Sequence, residues 1–142
     1  AEYALLTAQR RHEPVSLAFV DLDRFKHIND TWGHEEGDRA LIAIADLMKA
    51  AFRESDILAR QGGGEFIILF ANTSRHDAAT AMETLSHNVA RFNQQAANPW
   101  QLAFSWGCVE YDPASHPSLN ALVATADRLM YQAKQKQGRE RR

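Results

Sequence analysis

The sequence has one cysteine in 142 residues, Cys108, so no disulfide can close within the chain, and its cysteine usage fits a reducing compartment. No apolar run approaches the length needed to cross a bilayer, and no secretory leader opens the chain. Neither sign of charge dominates. Sixteen basic residues meet 18 acidic ones for a net charge of -2, which excludes a disordered acidic tail and a uniformly basic nucleic-acid binder. There is no internal repeat, low-complexity segment or linker. The six histidines (His12, His27, His34, His76, His87, His116) include no i,i+4 pair and no His-Glu-x-x-His motif, which argues against zinc. What is present is an ordinary globular share of apolar residues, 45%, on a chain the size of one domain. The expectation is a soluble, intracellular single domain over residues 1–142.

Hydrophobic spacing predicts the order helix, strand, helix, hairpin, helix, strand, helix. Residues 1–11 read as a helix with no cap before it, closed by Pro14, which suggests a piece excised from a longer protein. Val15 to Val20 is almost continuously apolar, the pattern of a central strand buried on both faces. Turn-forming residues follow at Asn29-Asp30-Thr31 and from Gly33 to Gly37, so the next helix is expected to start near Asp38. Ile57 to Arg60 and Glu65 to Ala71 read as two strands joined by the Gly62-Gly63-Gly64 turn. A helix over residues 75–92, a strand over 102–109 and a last helix from about Ser118 complete the chain. This order predicts an α/β fold with helices packed around a central mixed β-sheet. Cys108, inside an apolar strand, reads as a buried inert thiol. Trp106 reads as core, and Trp32 as a packed aromatic.

Chemistry concentrates where the first strand ends. Asp21 and Asp23 stand at i and i+2, so both carboxylates point to one side. Oxygen ligands at a strand's carboxyl end suit Mg²⁺ carrying nucleotide phosphates. The irregular segment Arg24-Phe25-Lys26-His27 offers backbone N–H groups and an ammonium to those phosphates. Asn29 and Asp38 flank the turn and can meet a base edge, since one carboxylate accepts guanine's N1–H and N2 amino group together. The same spacing also fits a strand end, a turn at Asp30 and a helix cap at Asp38.

Longer motifs decide between these. Val20-Asp-Leu-Asp-Arg-Phe-Lys-His-Ile-Asn-Asp-Thr-Trp-Gly-His-Glu-Glu-Gly-Asp38 closely resembles the first signature of GGDEF domains, the diguanylate cyclases of bacterial signalling. Arg60-Gln-Gly-Gly-Gly-Glu-Phe66 resembles the second signature, Ser105-Trp-Gly107 the family's Ser-x-Gly strand, and Ala126-Asp127 through Lys134 its closing helix. The family's opening Leu-Thr-Gly-Leu-x-Asn-Arg stretch is absent. The resemblance implies a nucleotidyl-cyclase palm-like fold whose β-hairpin carries the signature turn. It further implies a nucleotidyltransferase that joins two GTP molecules into cyclic di-GMP and releases two pyrophosphates. Two domains would face each other as a homodimer, in the cytoplasm, below an upstream sensory domain of a parent protein that can be membrane-anchored. No nucleic acid is implied as a partner.

Carried onto this chain, the resemblance implies that Asp21 and the backbone carbonyl of Leu22 hold Mg²⁺, with Mn²⁺ as a substitute. It implies that Asn29 and Asp38 read guanine, that main-chain groups near Arg24 and Phe25 together with Lys26 face phosphates, and that Lys134 reaches the triphosphate. After Lys134 the spacing to Arg139 is one residue longer than in the family. Arg141 and Arg142 read as a solvated basic end. The main departure is Gly64, which stands where the family has an Asp or Glu serving as metal ligand and helper in activating the 3′-hydroxyl. Its loss should weaken metal binding and remove the nucleophile's local base. Glu65, one residue on, points to the opposite face of an extended strand and cannot simply substitute, although a register shift in the glycines or a ligand from Asp23 would rescue the site. Glu65 and Lys134 are therefore the remaining catalytic candidates, with Glu65 also a candidate metal ligand. Finally, Arg53-Glu-Ser-Asp56 sits where the family places its inhibitory Arg-x-x-Asp product site, and the same pair also fits an exposed i,i+3 ion pair. Three readings follow: an impaired cyclase, a catalytically inactive cyclic di-GMP receptor, or an active cyclase rescued by Glu65 or Asp23.

Overall fold

The computed structural model describes residues 2–140, with side chains described for residues 5–137. The elements in chain order are α1 (Glu2–Arg11), β1 (Ser16–Leu22), α2 (Phe25–Trp32), α3 (His34–Ala51), β2 (Ile57–Arg60), β3 (Glu65–Phe70), α4 (Arg75–Gln95), β4 (Phe104–Glu110) and α5 (Leu119–Glu140). The four strands form one sheet in the order β2-β3-β1-β4. Every neighbouring pair is antiparallel, so the sheet is not mixed as the element order suggests. The two-helix crossover does join strands of the same direction, β1 and β2. Strand β3 then folds back from β2 and inserts between them, antiparallel to both.

β1 is central, and its alternation divides the core in two. Ala18, Val20 and Leu22 pack with Ile44 and Met48 of α3 and Met82 and Leu85 of α4. Leu17 and Phe19 pack on the other face with Leu5 and Ala8 of α1 and Leu122, Ala126 and Met130 of α5. Each buried Leu, Ile or Met contributes about 1.5–3 kcal/mol, which is why the apolar stripes dictate these layers. Cys108 is buried as expected, and burial pushes its thiol up to about 11, keeping it protonated and inert. Trp106 is only half-buried against the core, because its strand lies at the sheet edge.

Residues 25–37 differ from the sequence reading. Phe25 to His27 is helical rather than irregular, with Arg24 in a turn before it, Asn29 to Thr31 is not a turn, and the next helix starts at His34 rather than near Asp38. One residue decides this. Ile28 is 4% exposed, and its burial outweighs the helix reluctance of Asn29, Asp30 and Thr31, at most about 0.7 kcal/mol each. Gly33, at φ 94°, breaks the two helices with a conformation that side chains rarely adopt. Gly37 is not a turn residue; it lies buried inside α3, where a Cβ would collide with the Asn29 side chain. Smaller differences concern ends. α4 runs on to Gln95, and Leu102 lies outside β4 because the Asn93 side chain clamps both its N–H and its C=O at 2.8 Å.

Candidate active site

The register of β1 places Asp21 directly opposite Glu65 on β3 and Ser105 on β4. All three side chains continue the Leu17–Phe19 face, at the point where its apolar residues run out. α5 covers this face, and its residues Ala126, Met130 and Lys134 recur at i+4 along one stripe. Lys134 thereby reaches the polar end, where its Nζ donates to Asp21 Oδ2 at 2.7 Å and lies 3.7 Å from Asp23 Oδ1. Gly107 makes this approach possible. A Cβ there would run into the backbone of Met130 and Ala126 and lie 2.7 Å from the Leu129 carbonyl carbon.

The structure thus gathers Asp21, Asp23, Glu65 and Lys134, as the motifs suggest. It adds a residue whose side-chain role the sequence did not reveal. Ser105, 1% exposed, donates its hydroxyl to Asp23 Oδ1 at 2.8 Å, and the Gln137 side-chain amide lies 3.3 Å from the same hydroxyl. Only the β1–β4 register could have revealed this link. Burial raises the Glu65 pKa, and the charges of Asp21 and Asp127 raise it further, against a lowering by Lys134. Burial alone would lower the Lys134 pKa; the hydrogen bond and charge of Asp21, with Asp23, outweigh it and hold the ammonium above its ordinary value. Among the described residues, the end of the sheet is a negative site with one internal cation, Lys134.

The glycine turn is fixed in a single register. Gln61 N–H donates to Glu65 O at 2.8 Å, and Arg60 donates from Nε to Gly62 O and from Nη2 to Gly63 O, both at 3.0 Å. Gly64 is buried, and its carbonyl accepts the Leu22 N–H at 2.8 Å. A Cβ on Gly64 would lie 3.2 Å from Phe25 Cβ and 3.3 Å from Leu22 Cβ. Position 64 therefore faces α2, whereas Glu65 faces α5, as alternation requires.

At the start of α2, Arg24 adopts φ 59° and no side chain caps the helix, so the first-turn amides of Phe25, Lys26 and His27 have no partner within the helix. Lys26 is exposed beside them. Asn29 packs over Gly37 on α3, next to exposed Asp38, so the two helices bring these residues close together. A cavity of about 410 Å³ opens on another face of α2, lined by Asp23, Arg24, His27, Trp32 and Trp100 among others, and includes neither Asn29 nor Asp38. Trp32 forms part of its wall, 37% exposed and edge-on to His27.

Beyond α3, Asp56 accepts the Arg53 backbone N–H at 2.9 Å, and its side chain is 4% exposed. The Arg53 guanidinium is 58% exposed and oriented through Nη2, which donates to Ala71 O and Thr73 Oγ1 at 2.6 Å and to Asp56 Oδ1 at 3.4 Å. Arg139's side chain, Arg141 and Arg142 lie outside the described residues.

Comparison with known proteins agrees with this geometry. The family model described as "Diguanylate cyclase, GGDEF domain" matches residues 1–141. The chain is 35% identical over 134 residues to the diguanylate cyclase DosC of Escherichia coli K12, a match covering 94% of this chain and 29% of DosC. Among solved structures, the active GGEEF domain of a Vibrio cholerae diguanylate cyclase superposes with a TM-score of 0.84 at 28% identity, covering 94% of this chain and 85% of that one. The GGDEF domain of DgcB from Caulobacter crescentus, solved in complex with c-di-GMP, gives 0.84 at 28% identity, with 94% and 80% covered. The chain spans about a third or less of the curated relatives it matches.

Proposed function

The chain belongs to the GGDEF-domain family of diguanylate cyclases in cyclic di-GMP signalling, and from that premise we propose that it binds GTP and cyclic di-GMP but joins two GTP molecules only slowly. The observation that carries the reading is the packing at Gly64. The signature turn presents no carboxylate toward α2, and a Cβ at position 64 would sit 3.2 Å from Phe25 and 3.3 Å from Leu22, contacts that ease by a few tenths of an ångström to admit a side chain.

In this reading Asn29 and Asp38 accept and donate along the guanine edge. The first-turn amides of α2, with Lys26 and Lys134, receive the triphosphate. Asp21, the Leu22 carbonyl and Glu65 would hold Mg²⁺ or Mn²⁺. The carboxylate pair across β1 and β3 suits a hard cation, and the Lys134 ammonium already stands there as a cation on Asp21. Among the described residues no group of three or more His, Cys, Asp or Glu side chains closes a metal cage, so the nucleotide's own oxygens would complete the shell. When bound, such an ion would neutralise phosphate charge and polarise the bond to be broken. Missing from the α2 side is a base for the attacking 3′-hydroxyl, a loss of about 10²–10⁴ in rate.

Two observations keep other readings in view. Glu65 lies opposite Asp21, which favours partial compensation, but it projects from the face opposite position 64, and Asp23 is engaged by Ser105. Arg53 presents a half-exposed, oriented guanidinium, which favours product sensing. The domain would act in the cytoplasm, as a homodimer under a sensory domain of the parent protein.

The test is incubation with GTP and Mg²⁺, with chromatographic detection of cyclic di-GMP, beside calorimetry with cyclic di-GMP itself. Expected are trace turnover by the unmodified domain, a gain of about 10²-fold in Gly64→Glu, and product binding that Arg53→Ala abolishes. Brisk synthesis by the unmodified domain would overturn the impaired reading. Unchanged product affinity in Arg53→Ala would remove the second site.

A further inference from the structure

Lys134 meets its carboxylates in an arrangement that a purely phosphate-binding lysine does not need. Its ammonium lies on Asp21 at 2.7 Å, and the second carboxylate, Asp23, is turned toward it at 3.7 Å by the buried Ser105 hydroxyl. Asp21 faces Glu65 across the strand pair, so a divalent cation approaching Asp21 meets a resident positive charge before it meets a second carboxylate. The α5 stripe that packs through Gly107 fixes where the lysine stem begins, while the side chain itself is 39% exposed, so the ammonium can swing to another anion when one is offered.

We propose that Lys134 is a displaceable internal counter-ion: in the nucleotide-free domain it occupies the cation position on Asp21, and Ser105 and Asp23 are positioning residues that hold it there. A divalent ion alone then competes with a tethered charge that costs no translational entropy to bind. A triphosphate gives the ammonium new anionic partners at the start of α2, and the metal position opens as the nucleotide arrives. Metal binding is thereby coupled to nucleotide binding, and the order of events is written into one side chain. The inference rests on Asp21 being a metal ligand.

The probe is Mn²⁺ alone, titrated into the nucleotide-free domain and followed by the paramagnetic resonance signal of the unbound ion, with thermal melting as the check on folding. Removing the ammonium in Lys134→Met should tighten Mn²⁺ binding about tenfold, because one positive charge within a few ångströms of a divalent ion is removed at a partly solvated site. Lys134→Gln should give the same gain, and one of the two needs only to fold. Ser105→Ala, which frees Asp23, should give a smaller gain. Equal or weaker Mn²⁺ binding in the folded Lys134 variants, with binding lost in Asp21→Asn, would sink the counter-ion while leaving the metal site standing. Mn²⁺ binding that Asp21→Asn does not change would sink the metal-ligand reading and the counter-ion together.

Discussion

Glu65 stands among more negative charge than one lysine neutralises. Burial raises its pKa, and Asp21 and Asp127 add to the shift. For a carboxyl raised above its unfolded value of 4.5, the native state is favoured while the group is protonated, and that advantage is lost as pH rises through the folded pKa. Glu65→Gln should therefore stabilise the free domain at pH 7 by roughly 0.5 kcal/mol, the scale of a cross-strand like-charge pair. The gain should shrink to nothing below about pH 4.5, where both states of the unmodified chain are protonated. Melting temperatures of the two proteins across pH 4–8 check this, and a pH-independent difference would mean that Glu65 acts through packing instead. At this scale the motifs disclosed which residues carry charge but not how they are tied. Asp21, Glu65 and Lys134 were legible. The bond from Ser105 to Asp23, and the clamp of Arg60 on Gly62 and Gly63, depend on register and rotamer, which no spacing rule reports.

Among the elements, α5 contributes the site's only described lysine contact, and its distance from the sheet is set by Gly107. Adding a methyl group there meets the backbone of Met130 and Ala126 rather than a flexible side-chain end, so the whole helix must move outward. Gly107→Ala should cost about 1–3 kcal/mol or more in denaturant unfolding. It should also withdraw Lys134 from Asp21, so that nucleotide affinity falls even where the domain stays folded. Full stability in that variant would refute the close approach of α5. The elements themselves were legible wherever their apolar period was long. β1, both hairpin strands and the long helices α4 and α5 fell within a few residues of expectation. Helix α2 escaped because its eight residues carry one buried anchor, Ile28, among residues that favour turns. Glycine misled in the same region, since Gly33 and Gly37 read alike in sequence but do different work.

For the molecule as a whole, the sheet order puts Asp21, Glu65 and Lys134 at one end of β1, and the described residues contain one such cluster. The direction of the sheet was misread because local patterns do not say that β3 will insert between β1 and β2. One cluster per chain has a kinetic consequence. In the proposed reaction, making cyclic di-GMP takes two phosphodiester bonds between two nucleotides, so two copies would present their sites to each other. Among the described residues the exposed large apolar side chains are spread over α1, α2, α3, β2 and α5, at Leu6, Trp32, Ile42, Ile57 and Tyr131, and they favour no extensive dimer face there. The free domain should then be largely monomeric at micromolar concentration, and doubling its concentration should raise the rate of product formation about fourfold. Gly64→Glu supplies the signal if the unmodified rate is too small to follow. Joining two copies through a flexible linker should make the rate linear in protein, because the second encounter becomes intramolecular. A linear dependence in the untethered domain, with the protein shown to be monomeric by sedimentation, would mean that a single copy completes the reaction, and the facing arrangement would have to be given up.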